Sequence, residues 1–176
     1  MELRDITMDD LWLYVEMATD PETMAELGGP LPRKGLEEKL RGIVADVRAG
    51  RTWYQTIVPD ESDGVPEDAQ GPAGTVCIWD HEWNGETISE IGWMVRPGYQ
   101  GRGLASGAVR ALLDRARSEG RWGVIHAFPG VTNGPSNAIC RKLGFSRLEE
   151  TDIEYAGRTL RCNHWVVDLR EPSKGR

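Results

Sequence analysis

The chain has 176 residues, with 21 Lys and Arg against 28 Asp and Glu, which gives a net charge of −7. This length suits one core of ordinary size, so we predict a single domain over residues 1–170 and a frayed tail at 171–176. The acidic balance argues against nucleic-acid binding, which depends on clustered Lys and Arg. No apolar run approaches a membrane-spanning length, and the start lacks a basic segment followed by an apolar stretch, so we expect a cytoplasmic protein.

The first part of the chain alternates predicted helices and strands. A short strand from Glu2 to Ile6 leads to Thr7, whose side chain is typical of the N-cap of a helix, here running to about Met17. Apolar residues at three- and four-residue spacing predict a further amphipathic helix from Leu36 to Ala49.

Three strands are predicted next, at Thr52–Val58, Thr75–Asp80 and Thr87–Val95. Residues 59–74 are rich in Pro, Gly and acidic side chains, which predicts a long mobile hairpin loop between the first two of these strands. The dipeptide Asn84-Gly85 predicts a tight hairpin turn between the last two.

A glycine-rich turn after the third of these strands is the most informative segment. It leads directly into a helix whose apolar face recurs from Ala105 to Ala116. Gly101 and Gly103 let the backbone turn without a side chain, so several N–H groups and the positive end of the helix can converge on one anion. We therefore predict a phosphate site. The nucleotide P-loop pattern, Gly, four residues and then Gly-Lys followed by Ser or Thr, does not occur in the chain. The three-glycine dinucleotide pattern does not fit either, because Ser106 stands where the third glycine belongs.

The last part of the chain contains a second polar segment and a hairpin. A buried strand, Val124 to Phe128, precedes the segment Asn133 to Phe145, which reads as a short helix. Two strands, Phe145–Tyr155 and Thr159–Leu169, then form a predicted terminal hairpin through Ala156-Gly157. The three cysteines, Cys77, Cys140 and Cys162, lack metal-ligand spacing, so we expect free thiols and no metal site.

Two of these segments resemble the signatures of the GNAT superfamily of N-acetyltransferases. The run from Gln100 to Ala105 is similar to the family's pyrophosphate motif, and the run from Asn133 through Ser136 to Phe145 is similar to its second motif. The resemblance implies an α/β (α+β) domain with a mixed sheet of six to seven strands and about four flanking helices. It also implies acetyl-CoA as the cosubstrate, and the branch that it suggests contains the ribosomal-protein N-terminal acetyltransferases.

The resemblance assigns the cofactor contacts to two regions. Backbone groups of Met94 and Val95 would pair with the pantetheine arm, and one of their N–H groups would bind the thioester oxyanion. Asn133 and Ser136 would contact the cofactor arm. The pyrophosphate would be held by the glycine-rich turn, through Gln100, Gly101, Arg102, Gly103, Leu104, Ala105 and Ser106.

The resemblance also suggests a base and an acid. Glu90 lies on the strand before the glycine-rich turn, where family members often carry a glutamate base; the alternative is a residue that faces solvent. Cys140 occupies the position where the family often has a tyrosine acid, and it is an acid, a nucleophile or only a packing residue. Ser136 and Tyr155 are weaker candidates for the acid, and His126 is a weaker candidate for the base.

The function implied is transfer of an acetyl group from acetyl-CoA to a primary amine within a ternary complex. The acceptor is a small-molecule amine or a peptide N-terminus, and the negative charge mildly favours a cationic acceptor. The alternative is a non-catalytic acyl-CoA-binding or regulatory domain with the same fold. Both a monomer and a homodimer remain open.

Overall fold

The computed structural model describes residues 1–65 and 71–171. Within these residues, seven strands form one sheet in the order β1-β2-β3-β4-β5-β7-β6, accompanied by four α-helices. The strands are β1 (Glu2–Asp5), β2 (Trp53–Val58), β3 (Gly74–Trp83), β4 (Glu86–Val95), β5 (Val124–Ala127), β6 (Ser146–Tyr155) and β7 (Arg158–Asp168). The helices are α1 (Leu11–Thr19), α2 (Leu36–Arg48), α3 (Leu104–Glu119) and α4 (Gly134–Lys142). The predicted fold class is confirmed.

Helix α1 begins later than predicted. Thr7 is an N-cap as expected, but it caps a 3₁₀ turn at Met8–Asp10, and α1 starts at Leu11. Residues 66–70 of the predicted mobile loop and residues 172–176 of the predicted tail lie outside the described residues. None of the described helices combines the length and the apolar character that crossing a membrane requires.

The sheet separates two apolar clusters. The larger one buries side chains of α3 and α4 against the central strands, for example Leu112 and Cys140 against Ile91 and Ile125. The smaller one joins α1 to α2 through residues such as Tyr14 and Leu40, with Tyr54 of β2 packed against it. Because side chains alternate along a strand, residues of β4 next to Ile91 in sequence point to the face opposite α3.

Two pairings in the sheet determine the geometry of its centre. The Asn84-Gly85 turn has left-handed backbone at both residues, with φ of 50° and 82°, and β3 and β4 pair without a register shift from Trp83↔Glu86 to Gly74↔Val95. By contrast, β4 and β5 pair in parallel only at Ser89↔Ile125 and Glu90↔His126. Beyond these positions the two strands separate, and we call the resulting opening the fork.

Candidate active site

The glycine-rich turn presents a row of backbone N–H groups at the start of α3. Gly101 and Gly103 have φ of 74° and 79°, and a side chain added at either glycine would point into open space. The N–H of Gly107 bonds to the oxygen of Gly103, at 2.8 Å. Within the described residues, no hydrogen bond has a backbone N–H from residues 101 to 106 as its donor. These groups are thus available to an anion, and the positive end of the helix dipole adds to the attraction.

Two side chains tie the turn to its surroundings. The amide nitrogen Nε2 of Gln100 donates to the carbonyl of Val95 at 3.0 Å, which links the turn to the end of β4. The exposed guanidinium of Arg102 donates to the carbonyl of Gly64, in the loop that follows β2. Arg102 therefore stands at the edge of the turn, and a phosphate contact from it would compete with this hydrogen bond.

The β3–β4 register decides which backbone groups of β4 face the fork. The N–H of Arg96 donates to the carbonyl of Ala73 at 2.8 Å, so Arg96 and Ala73 form a hydrogen-bonded pair that continues the β3–β4 register. In an antiparallel ladder, hydrogen-bonded pairs alternate with non-hydrogen-bonded pairs. Met94 is two residues from Arg96, so its N–H and C=O also point to β3. Our expectation that the Met94 backbone meets the pantetheine arm is corrected. The groups of Val95 and Trp93 point away from β3, toward the fork.

Sequence reasoning missed Trp93, although the signal was present. A two-residue turn at Asn84-Gly85 makes Trp83 and Glu86 a hydrogen-bonded pair. Counting in steps of two from Glu86 shows that the backbone N–H and C=O groups of Glu90 and Met94 point to β3. Those of Trp93 and Val95 point to the opposite edge of β4.

Glu90 lies at the point where the fork begins. It is the last residue of β4 that pairs with β5, and its side chain is 17% exposed on the face opposite α3. Its carboxylate oxygen Oε2 accepts a hydrogen bond from Nε2 of His81 at 2.7 Å. This bond is the largest of the interactions that raise the pKa of His81 above its usual value. The geometry disfavours the alternative that Glu90 faces open solvent.

His81 was not predicted as a site residue. It lies on β3 two residues from Trp79, which is directly opposite Glu90, so its side chain shares the face of Glu90. The ring of Trp79 is stacked at 25° to that of His81, with 6.0 Å between centroids. This contact helps to fix the imidazole beside the carboxylate.

Cys140 lies in the core of the domain. The residue has 0% exposed surface and packs in the larger apolar cluster. Burial raises the pKa of its thiol to about 12. A thiol inside the core cannot contact an acceptor amine or a departing thiolate, so of the three roles considered for Cys140, the structure supports packing and corrects the acid and nucleophile roles.

Asn133 and Ser136 lie at the start of α4. The side-chain oxygen of Asn133 accepts a hydrogen bond from the N–H of Ser136 at 3.0 Å and thereby caps the helix. Both side chains are half-buried, and their contact with a cofactor stays a prediction. The next residue, Asn137, was missed and is buried in a hydrogen-bond network with Asn163 and Trp165.

Tyr155, the weaker candidate for the acid, belongs to a group of tyrosines near Cys77. Burial raises the pKa of Tyr155, and the pKa of Tyr14 to about 12. Electrostatic interactions join these two tyrosines to each other and to Cys77, and Cys77 to Glu90. Tyr14 is buried in the smaller apolar cluster, and Tyr155 is half-buried.

A family model described as the acetyltransferase (GNAT) domain matches residues 1–146. The chain belongs to the GNAT acetyltransferase family. A protein named as an uncharacterized N-acetyltransferase, YnaD from Bacillus subtilis (strain 168), is 36% identical over 67 residues, which are 38% of this chain. The matched part spans only 39% of the length of that relative.

Solved structures of GNAT enzymes share the fold. The spermidine N-acetyltransferase from Vibrio cholerae, in complex with CoA and spermine, has a TM-score of 0.74 and 15% identity, over 96% of this chain and 95% of that one. The ribosomal-protein-alanine N-acetyltransferase from Brucella melitensis has a TM-score of 0.73 and 19% identity, over 96% and 99% of the two chains. At these identities the likeness establishes the fold alone.

Proposed function

We propose that this GNAT protein transfers an acetyl group from acetyl-CoA directly to a primary amine. The observation that carries the proposal is the glycine-rich turn, whose unbonded N–H groups open beside a fork that begins at Glu90. An anion site and a carboxylate, joined by one edge of β4, match the two ends of an acyl-CoA molecule, namely its diphosphate and its thioester.

The β4 edge would align the cofactor between these two points. With the diphosphate on the amides of residues 101–106, the pantetheine arm would run along the N–H of Val95 and the N–H and C=O of Trp93 like an added strand, since the Val95 carbonyl already accepts from Gln100. An N–H of this edge would also bind the oxyanion that forms when an amine attacks the thioester. The CoA bound to the spermidine N-acetyltransferase of the same fold supports this cosubstrate.

Glu90 would be the general base. A lysine-like ammonium has a pKa of about 10.4, so the acceptor must lose a proton before it can attack. The Oε2 atom of Glu90 is bonded to His81, and Oε1 has no hydrogen-bond partner among the described residues, so Oε1 would take this proton directly or through water.

The acceptor would be a small-molecule amine or a peptide N-terminus. The neighbours of the same fold include a spermidine N-acetyltransferase and an acetyl transferase from Salmonella typhimurium described as modifying the N-terminal serine of ribosomal protein L7/L12, which are one example of each kind of amine. The net charge of −7 favours a cationic acceptor.

A non-catalytic acyl-CoA-binding domain is the second candidate. It is favoured by one observation: Cys140, at the position of the family's usual acid, is inside the core. Such a domain would keep the glycine-rich turn but would release no CoA when amines are supplied.

The test combines binding with turnover. Purified protein is mixed with acetyl-CoA and a panel of polyamines, amino-acid amides and peptides, free thiol is measured, and CoA affinity is measured by calorimetry. We expect Glu90→Gln to reduce kcat by roughly 10²–10⁴-fold while the CoA affinity is kept. Glu86→Gln is the matched control, because Glu86 lies on the same strand and is exposed. CoA binding without thiol release would favour the non-catalytic binding domain. The absence of CoA binding would contradict both candidate functions.

A further inference from the structure

Three titratable side chains form a hydrogen-bonded chain next to Glu90. Nδ1 of His126, on β5, is 2.9 Å from Nε2 of His164, on β7. Nδ1 of His164 is in turn 3.0 Å from Oε1 of Glu149, on β6. The two imidazole rings are tilted by only 18° to each other, so they meet edge to edge in nearly one plane. We call this group the His126 relay.

The β6 strand aims Glu149 at the relay through an irregularity. The pairing of β6 with β7 shifts between Arg147↔Trp165 and Glu150↔Asn163, so Leu148 and Glu149 together stand opposite His164. A bulge of this kind re-aims a side chain and is frequent next to active sites. His164 itself is buried, and the ring of Phe128 stacks on it with 4.7 Å between centroids.

Proton counting gives the relay one direction. The Glu149 carboxylate can only accept, so Nδ1 of His164 donates to it. For neutral imidazoles, Nε2 of His164 is then an acceptor, and Nδ1–H of His126 donates to it. The other nitrogen of His126, Nε2, is left with a free lone pair.

This lone pair is accessible. Nε2 of His126 has no hydrogen-bond partner within the part of the chain that the structure describes. Among those residues, the one fully buried side-chain nitrogen or oxygen without a partner is Arg117 Nε. Nε2 of His126 is therefore not fully buried, and solvent reaches it. Because Nδ1 faces His164 on β7, Nε2 points away from β7, and β4 on the other side has Glu90 at the paired position.

The charged groups around His126 belong to four strands. Glu90 and His81 face it from β4 and β3, and His164 and Glu149 face it from β7 and β6. Burial, followed by the effects of His164 and His81, lowers the pKa of His126 below its ordinary value. The imidazole is thereby kept in the neutral form near pH 7.

The proposed reaction needs a second proton carrier besides Glu90. An alkylammonium has three N–H protons and the amide product has one, so the nitrogen loses two protons in each turnover. Glu90 would take the first. The second leaves the nitrogen after the C–N bond has formed, while the sulfur needs a proton as the C–S bond breaks, and Cys140 is too deeply buried to supply it.

Resting on the acetyltransferase function proposed above, we propose that His126 is a further catalytic residue, which carries this second proton from the acceptor nitrogen to the CoA sulfur. Nε2 accepts the proton from the nitrogen of the tetrahedral intermediate and donates it to the departing thiolate, so the imidazole ends each turnover neutral. His164 and Glu149 are positioning residues, since they act only through the tautomer and orientation of His126.

Turnover of His126→Gln tests the catalytic role. We expect kcat to fall by roughly 10²–10⁴-fold with CoA affinity unchanged. The loss should shrink when the acetyl donor is an aryl thioester, because its more acidic thiol leaves without a proton. A wild-type rate in His126→Gln, or an equal loss with both donors, overturns the proposal.

The positioning role has its own test. Glu149→Gln can still accept from His164 but lacks the charge, so we expect a smaller loss of kcat and a shifted pH dependence of kcat/KM. Glu150→Gln, the next residue on β6, is the control and should keep the wild-type pH profile.

Nitrogen-15 NMR of the imidazoles gives a readout that needs neither turnover nor a folded variant. We expect His126 in the wild-type protein to carry its proton on Nδ1 near neutral pH, and its Nε2 signal to move when CoA is added. A proton on Nε2, or no movement with saturating CoA, overturns the proposal. Wild-type protein that binds CoA but acetylates no amine would instead refute the acetyltransferase function itself.

Discussion

Replacing Asn137 by alanine tests whether the buried network at the start of α4 holds the second motif in place. Nδ2 of Asn137 donates to the carbonyls of Gly130 and Asn133 at 2.9 and 2.8 Å. Its Oδ1 accepts from Asn163 Nδ2 at 2.8 Å and from Trp165 Nε1 at 2.9 Å. Since Asn137 is 5% exposed, water cannot readily replace these partners.

The expected cost follows from the groups that lose a partner. Asn137→Ala leaves two buried donors, on Asn163 and Trp165, without an acceptor, and each unsatisfied buried group costs about 1–3 kcal/mol. We therefore expect a loss of about 4 kcal/mol in the free energy of unfolding. For a domain of this size, each kcal/mol lowers Tm by about 2–4 °C, so Tm should fall by about 8–16 °C.

Thermal unfolding followed by circular dichroism measures this change. The control is Lys142→Ala, which truncates an exposed side chain at the end of the same helix and should change Tm by no more than about 2 °C. If Asn137→Ala had the same Tm as Lys142→Ala, the network would not stabilise the start of α4, and the reasoning from hydrogen-bond satisfaction would be refuted.

Three further predictions concern the turn, the base and the core. Gly103→Ala forces a side chain into a left-handed conformation at a cost of about 1–2 kcal/mol, so calorimetry should find weaker CoA binding than in Gly98→Ala, where φ is not positive. The raised pKa of His81 means that its bond to Glu90 stabilises the fold fully below about pH 6.5 and progressively less as the pH rises through the folded-state pKa. The difference in unfolding free energy between wild type and His81→Gln should thus shrink toward high pH, and a flat difference would contradict this. Cys140→Ala should lower stability by about 1–3 kcal/mol yet keep kcat per folded molecule, whereas a large loss of kcat at full stability would restore Cys140 as a catalytic group.

Local patterns were sufficient to predict most of the elements and the open turn before α3. The apolar spacing from Ala105 to Ala116 and the glycines at 101 and 103 predict α3 and the open turn before it, because helix periodicity and positive φ are properties of neighbouring residues. The Asn84-Gly85 turn likewise predicts the β3–β4 hairpin. The family resemblance for these segments is confirmed by the match over residues 1–146.

The errors in the site have a common physical origin. Cys140 was considered as an acid because of its place in a motif, but which face of α4 is buried depends on the sheet against which the helix packs. Met94 was assigned to the cofactor by the family resemblance, whereas the direction of its backbone N–H depends on which pairs of the β3–β4 ladder are hydrogen-bonded. Both are decided by partners distant in sequence.

The pairing of Glu90 with His126 shows most clearly what local patterns leave undetermined. The two residues are separated by the whole of α3, and their register depends on how that helix packs as it returns the chain to the sheet. His164 and Glu149 join them only because β7 pairs with β5 and because β6 carries an extra residue opposite His164. Glu90, His126, His164 and Glu149 are thus brought together where β4 and β5 separate. In the function that we propose, the unpaired backbone groups of this opening would hold the cofactor, and the titratable groups would meet both the amine and the sulfur of the same reaction.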